Sequence, residues 1–230
     1  FIKKIELKPN IVLIFYVFIY YLYKLSNKNM KYTKQLINIK DNPFILFDKW
    51  FVEAKQKEIN NPNAMNLATV GSILRPSSRM VLLKSYDTSG FVFYTNLNSR
   101  KGINIKKNSK VFLNFYWKSL LKQIGIRGVA KFVSDSEADE YFNSRPRNSQ
   151  IGSLVSNQSS ELKNREELEQ NFQIYRKKYK GKKIPRPSHW SGYKVKPDLI
   201  EFWQEMPFRL HDRVEFIKSK NKWYGRRLYP

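Results

Sequence analysis

Between Arg79 and Lys101 the chain reads RMVLLKSYDTSGFVFYTNLNSRK, and this stretch limits the fold more than any other. A run at residues 80–83, a turn at 87–90 and a returning run at 91–95 spell an antiparallel hairpin. Its apolar, β-branched and aromatic residues are bounded by Asp, Ser and Gly. A plain hairpin needs none of the polar groups around it. Arg79 and Lys84 flank one strand, Tyr94 and Thr95 close the other, and Ser99, Arg100 and Lys101 fall where a helix begins. A helix start offers unpaired N–H groups and the positive end of its dipole. With two cations beside it, it suits the phosphate of a small ligand.

The flanking segments continue a mainly β pattern. Residues 43–58 predict a helix: Asn42 or Asp41 caps it, Pro43 suits its first turn, and Phe44, Phe47, Phe51 and Ala54 recur at helical spacing. Such a stripe reads as core packing. Residues 64–70 predict a strand that pairs, through a turn at 71–78, with the strand opening at Arg79. A short helix at about 102–107 and a strand at 111–117 follow. Residues 123–133 alternate, with Ile124, Ile126, Ala130 and Phe132 on one side and Gln123, Arg127 and Lys131 on the other. Ser134 and Glu137 form a capping box for a helix to about Phe142, and a second short helix comes after Ser144-Arg145-Pro146. A polar helix is expected over 161–180, with Leu162, Leu168, Phe172 and Tyr175 on its apolar side. A Pro-rich connector covers 184–191, and strands are expected at 199–204, 212–217 and 223–228.

Composition narrows the chemistry. At 230 residues, with 41% hydrophobic and 15% aromatic content, the chain can bury a real core. It has no Cys and only two His, His189 and His211, without an HExxH motif, which argues against cysteine nucleophiles and a histidine-built metal site. The formal net charge of +24 suits a polyanion partner, but the Lys residues are spread along the chain rather than gathered in a stripe. Drift in composition is the simpler reading. Residues 1–29 differ from the rest: Lys3 and Lys4 precede an apolar run at 11–23, shorter than the roughly 20 residues of a membrane span. The first Met is Met30, so 1–29 is expected to be a dispensable extension and 30–230 the globular part.

Two polar clusters remain open between a binding and a capping role. Arg145, Arg147, Ser149, Gln158, Ser159 and Ser160 lie near helix ends, where they can hold a second phosphate or simply solvate the helices. Arg209, His211 and Arg213 alternate at a strand start, where period-two spacing puts them on one face, and three basic groups on one face repel unless an anion, an electron-rich ring or an acid such as Glu205 balances them. Gln123 reads as solvated when taken alone.

The segments RMVLLK (79–84), FYTNLNSRK (93–101), YFNSRPRNSQIG (141–152), SNQSS (156–160), EFWQ (201–204) and RLHDR (209–213) together resemble the pyridoxamine (pyridoxine) 5'-phosphate oxidases, in order and spacing, over about 42–230. The resemblance implies a mainly β fold with flanking helices, an antiparallel Greek-key split barrel. It implies a cytoplasmic homodimer with FMN in clefts between subunits, binding neither nucleic acid nor membrane, and no metal. FMN would be held by Arg79, Met80, Val81, Leu82, Leu83, Lys84, Tyr94, Thr95, Arg100, Lys101, Gln123, Gln158, Ser159, Trp203 and Arg213. Lys84, Tyr141, Arg145 and Ser149 would take the substrate, pyridoxamine or pyridoxine 5'-phosphate, with Arg209 and His211 against its pyridine ring as the catalytic pair and oxygen as the electron acceptor. Other split-barrel flavoproteins and a basic nucleic-acid-binding barrel are the alternatives. The sequence departs from the family at Leu74 and Arg75, where a Gly-containing turn is usual, and at Tyr116, where Pro is common. Tyr32, Thr33 and Lys34 align with the arm that covers the substrate in relatives, without an assigned role.

Overall fold

The computed structural model describes residues 35–230; the expectations for 1–29 and for Tyr32, Thr33 and Lys34 lie outside them. The order is α1 (Pro43–Lys57), β1 (Ala64–Val70), β2 (Pro76–Leu82), β3 (Ser85–Asp87), β4 (Gly90–Asn96), α2 (Arg100–Lys107), β5 (Lys110–Trp117), β6 (Lys122–Phe132), α3 (Asp135–Ser144), α4 (Arg147–Val155), α5 (Arg165–Lys178), β7 (Trp190–Gln204), a 3₁₀ turn (Pro207–Arg209), β8 (Asp212–Ser219) and β9 (Lys222–Leu228). Among the described residues no helix is long and apolar enough to cross a membrane.

β7 is the spine of the sheet. One of its edges pairs with β6 over 193–204, while the other pairs first with β4 over 190–195 and then with β8 over 199–204. Two successive neighbours on one edge split the sheet into a β4–β3 branch and a β8–β9 branch. Where β7 changes neighbours, its register with β6 shifts between Arg127 and Gly128. Pro197, which has no N–H for a ladder, sits at this irregularity. A Cβ on Gly128 would fall 2.4 Å from Lys196 O, so the close approach requires glycine.

The chain also joins the two ends of the sheet. In the path β2-β1-β5-β6-β7-β4-β3 the terminal strands are consecutive in sequence. Leu83 N donates to Asn63 O on one side, and Lys84 N to Val92 O on the other. The sheet therefore curls until its ends meet, giving an antiparallel split barrel with flanking helices. Strand alternation sends Met65, Leu67, Phe91, Phe93, Leu113, Phe115, Ile124, Ile126, Phe202 and Phe216 inward, all fully buried. α1 covers this core through Phe44, Phe47, Trp50, Phe51 and Ala54, which form its buried stripe. A second apolar cluster, around Phe142, Ile151, Ile184 and Trp190, fastens α3, α4 and α5 against the start of β7.

Several local expectations change. The strand that ends at Leu82 pairs with β1, and the hairpin to β4 is made by β3 instead; an aperiodic step at Leu83 and Lys84 hides this switch from a pattern search. The β1–β2 turn shrinks to 71–75 because β2 begins at Pro76. Phe132, the last residue of β6, is exposed and stacks on Tyr193 at 4.7 Å, whereas Ala130 on the same side of the strand is buried. α5 begins only at Arg165, behind its cap Asn164, so Leu162 lies before the helix. β7 begins at Trp190 rather than 199 and absorbs the end of the expected connector.

On the outer face, register places Tyr116, Gln123, Trp203 and Arg213 in one row across β5, β6, β7 and β8. Met80 and Leu82 share that face at the β2 end through their pairing with Asn66 and Ala64. Met80, Leu82, Phe112, Tyr116 and Tyr224 are exposed along it. Such an apolar outer face marks an interaction surface.

Phe47 is fully buried and meets Phe51, Tyr86, Phe91, Phe115 and Trp117 within 6.4 Å between ring centroids. Phe47→Ala is therefore expected to lower unfolding free energy by about 3–5 kcal/mol, read as a shift of the urea midpoint at unchanged slope.

Candidate active site

A cavity of about 700 Å³ opens between the end of β2, the β4 strand and the α3–α4 pair. Its walls include Met80, Val81, Leu82, Lys84, Tyr94, Thr95, Lys101, Tyr141, Arg145, Ser149 and Gln158. The hairpin residues and the Arg145 cluster, far apart in sequence, thus face one space. Arg79, Leu83, Arg100 and Ser159 stand behind or beside this wall and do not line it.

The first cluster lies at the α2 start. Ser99 caps the helix and is fully buried. Lys101 is only 7% exposed, and its Nζ donates to Ser99 Oγ at 3.0 Å and Gln158 Oε1 at 2.7 Å. Burial, and next the neighbouring Arg79, hold its pKa down to about 8. Arg79 is fixed from below: Nη1 donates to Leu67 O, Thr69 Oγ1 and Ser77 O, and Nη2 to Ser77 Oγ. Burial and then Arg100 lower its pKa as well. No carboxylate among the described residues forms an ion pair with Arg79, Arg100 or Lys101. Three cations gathered at a helix start with only neutral acceptors form an anion site.

The second cluster is built on α3 and α4. Arg145 caps the C-terminal end of α3, and its Nη1 donates to Ser153 Oγ at 2.6 Å. Its guanidinium lies 4.8 Å from the Trp190 ring centroid. Burial lowers its pKa, with Tyr141 acting the other way. Lys84 Nζ stands 5.7 Å from the Tyr141 ring, and Ser149 is on the first turn of α4. Tyr94 turns its ring into this cluster, stacking on Tyr141 at 4.1 Å and on Trp190 at 5.3 Å, and its hydroxyl donates to Glu137 O at 3.4 Å. Arg147 points elsewhere and ties α4 to Tyr179 O and Lys182 O.

The remaining expected residues are not in this cavity within one chain. Gln123, Trp203 and Arg213 stand together in the row on the outer face. The shared face expected for Arg209, His211 and Arg213 does not form, because β8 starts only at Asp212. Phe208 and Arg209 instead occupy a left-handed turn, at φ 59° and 62°. His211 Nδ1 accepts from Met206 N at 3.2 Å, and its ring sits 4.7 Å from Trp203; a neutral ring accepting there carries its proton on Nε2. Arg213 is balanced by Glu201, at 2.9 Å from both Nε and Nη2.

Sequence reasoning missed Trp190, Gly192 and Ser153. Trp190 was hidden by assignment to the Pro-rich connector. Gly192 lies opposite Tyr94, and a Cβ there would come within 2.7 Å of the Tyr94 ring.

Comparison with known proteins gives this arrangement its context. The pyridoxamine 5'-phosphate oxidase family model matches residues 51–179. The chain belongs to that family. Residues 190–230 match the pyridoxine 5'-phosphate oxidase C-terminal dimerisation region. Pyridoxine/pyridoxamine 5'-phosphate oxidases from Gluconobacter oxydans and Bartonella quintana are 49% and 52% identical, over 85% and 82% of this chain and 98% and 92% of theirs. The crystal structure of PhzG from Burkholderia lata, in complex with tetrahydrophenazine-1-carboxylic acid, superposes with a TM-score of 0.81 at 30% identity, covering 87% of this chain and all of that one. The family makes the chain an oxidoreductase.

Lys101 yields a direct test. Its proton leaves at about 8 in the folded chain and near its ordinary 10.5 when unfolded. Between those values the unfolded chain binds more protons, so stability rises with pH across that window. NMR of ¹³C-methylated lysines is expected to show one resonance titrating near pH 8 that is absent in Lys101→Met, and Lys101→Met is expected to flatten the rise in stability.

Proposed function

We propose that the chain is an FMN-dependent oxidase that converts pyridoxamine or pyridoxine 5'-phosphate to pyridoxal 5'-phosphate, with oxygen as electron acceptor. The observation carrying this reading is a pair of cation clusters with no carboxylate partner, around Lys101 and around Arg145, on the walls of one cavity. Two phosphorylated molecules lying against each other require such a pair. The donor set at α2 suits a phosphate dianion: Lys101 gives a directed N–H group from the cavity wall, Arg79 and Arg100 add charge beside it, and Ser99 and Gln158 set the Lys101 ammonium. Met80, Val81, Leu82, Leu83, Lys84, Tyr94, Thr95 and Ser159 complete the bed for FMN on the same chain. When bound, FMN supplies the hydride acceptor and the route for electrons to oxygen.

The chain's own residues position and polarise. Arg145, Ser149 and Tyr141 hold the substrate phosphate, and Lys84 spans the two clusters because it lies where β2 passes to β3. Fixing both phosphates removes translational freedom that otherwise contributes several kcal/mol to the barrier. A second copy of the chain brings Gln123, Trp203 and Arg213 to the flavin, and Arg209 and His211 to the pyridine ring. The match to the dimerisation region supports this homodimer, as do the apolar residues exposed on the outer face. With Nδ1 occupied by Met206 N, His211 offers an Nε2–H donor, so it orients the ring and stabilises charge on it rather than removing a proton.

The purified protein is expected to be yellow and to take up oxygen with pyridoxine 5'-phosphate; a colourless protein with salt-sensitive RNA binding would contradict the reading. Arg145→Gln is expected to lower kcat/KM by about 10- to 100-fold, chiefly through KM, as suits loss of a charge-assisted hydrogen bond. His211→Ala is expected to raise KM more than it lowers kcat in steady-state oxygen uptake. Abolished turnover at unchanged substrate affinity would assign His211 a proton instead.

A further inference from the structure

We infer that Trp190 is a positioning residue for the substrate phosphate: its ring face holds the Arg145 guanidinium in place without neutralising it. The inference rests on the reading of Arg145 as a phosphate ligand. Arg145 is drawn out of water, its pKa lowered by burial, yet among the described residues it has no carboxylate partner. Among the described residues its guanidinium makes one hydrogen bond, to the neutral Ser153 Oγ. What replaces a counter-ion is the Trp190 face at 4.8 Å, with Phe142 further off at 5.9 Å.

An aromatic face and a carboxylate differ in what they leave behind. A carboxylate beside Arg145 would occupy its N–H fork and cancel its charge, so an incoming phosphate would have to displace it. The quadrupole of an indole attracts the cation and leaves the charge and the in-plane N–H groups available.

The ring itself is fixed from several sides. Tyr94 stacks on it within 8° of parallel and also stacks on Tyr141, so one ring aligns both sides of the phosphate site. Gly192 leaves room for that ring, as no residue with a Cβ could. Arg186 donates to Trp190 O at 2.9 Å and pairs with Asp135 and Asp139, binding the start of β7 to the helix that carries Tyr141 and ends at Arg145.

The test separates electrostatics from packing. Tryptophan at position 190 of the FMN-loaded protein is replaced by mono-, di- and trifluorotryptophan, which keep the ring's shape while draining its negative face. Affinity for inorganic phosphate is then measured by calorimetry, beside Trp190→Phe and Arg145→Gln. The expected result is a graded loss reaching about fivefold at three fluorines, partial retention in Trp190→Phe, and disappearance of the site in Arg145→Gln. Equal affinity across the fluorinated series, with the site still lost in Arg145→Gln, would overturn the inference and leave Trp190 as packing alone. Phosphate binding that survives Arg145→Gln would also overturn it, by removing Arg145 from the anion site; oxygen uptake with pyridoxine 5'-phosphate judges the proposed activity separately.

Discussion

An ammonium group taken out of water and set beside a guanidinium is unstable unless something else in the molecule holds it there. Lys101 is in that position: nearly buried, next to Arg79, and supplied only with the neutral oxygens of Ser99 and Gln158. Neutral acceptors orient a cation without discharging it, so much of the desolvation penalty stays in place until an anion arrives. Arg145 repeats the arrangement with a hydroxyl and an indole. The barrel core provides the stability against which both clusters are held, and the local violation of charge pairing is what such a fold keeps for binding.

The neighbours of the two clusters show how the charge is left uncancelled. Two acidic groups of α3 are already engaged, Asp135 and Asp139 with Arg186. The ring of Tyr94 blocks the space that Gly192 vacates. Around Arg79, four oxygens from β1 and β2 fill the donor positions that face the protein. Lys101 and Arg145 themselves stand in the cavity wall, so their uncancelled charge faces that space.

Much of this was legible in the chain, because strands, caps and turns are local. Ser99 caps α2, Ser134 and Glu137 make their capping box, and the α1 stripe is buried. The failures come from what periodicity does not encode. Nothing in RMVLLK says that the strand changes partners at Lys84, since the apolar run from Met80 to Leu83 is unbroken and marks no boundary. RLHDR suggests one face only if the strand already runs through it, and the left-handed turn at Phe208 and Arg209 removes that premise. Trp190 was invisible for a related reason: Pro185 and Pro187 mark the loop before it, and a strand beginning directly behind a Pro-rich loop carries no start signal of its own. The pairing of Arg145 with the family's phosphate role came from resemblance, and its aromatic support came only from the fold.

The length of β7 bears on the dimer independently of the family match. At about 3.3 Å per residue a strand running from Trp190 to Trp203 spans up to about 43 Å. Trp190 lies in the wall of the cavity, whereas Trp203 stands beside Gln123 and Arg213 in the row at the other end. A flavin and a pyridine ring together are far shorter than that span, so one strand cannot present both its ends to the same pair of ligands. A two-fold axis through the outer face removes the conflict, because it lays the far end of one β7 against the near end of the other. Met80, Leu82, Phe112 and Tyr116 are exposed on that face and would be covered by the same operation. In the proposed homodimer a single symmetric contact would thus meet both needs, covering exposed apolar area and completing the site.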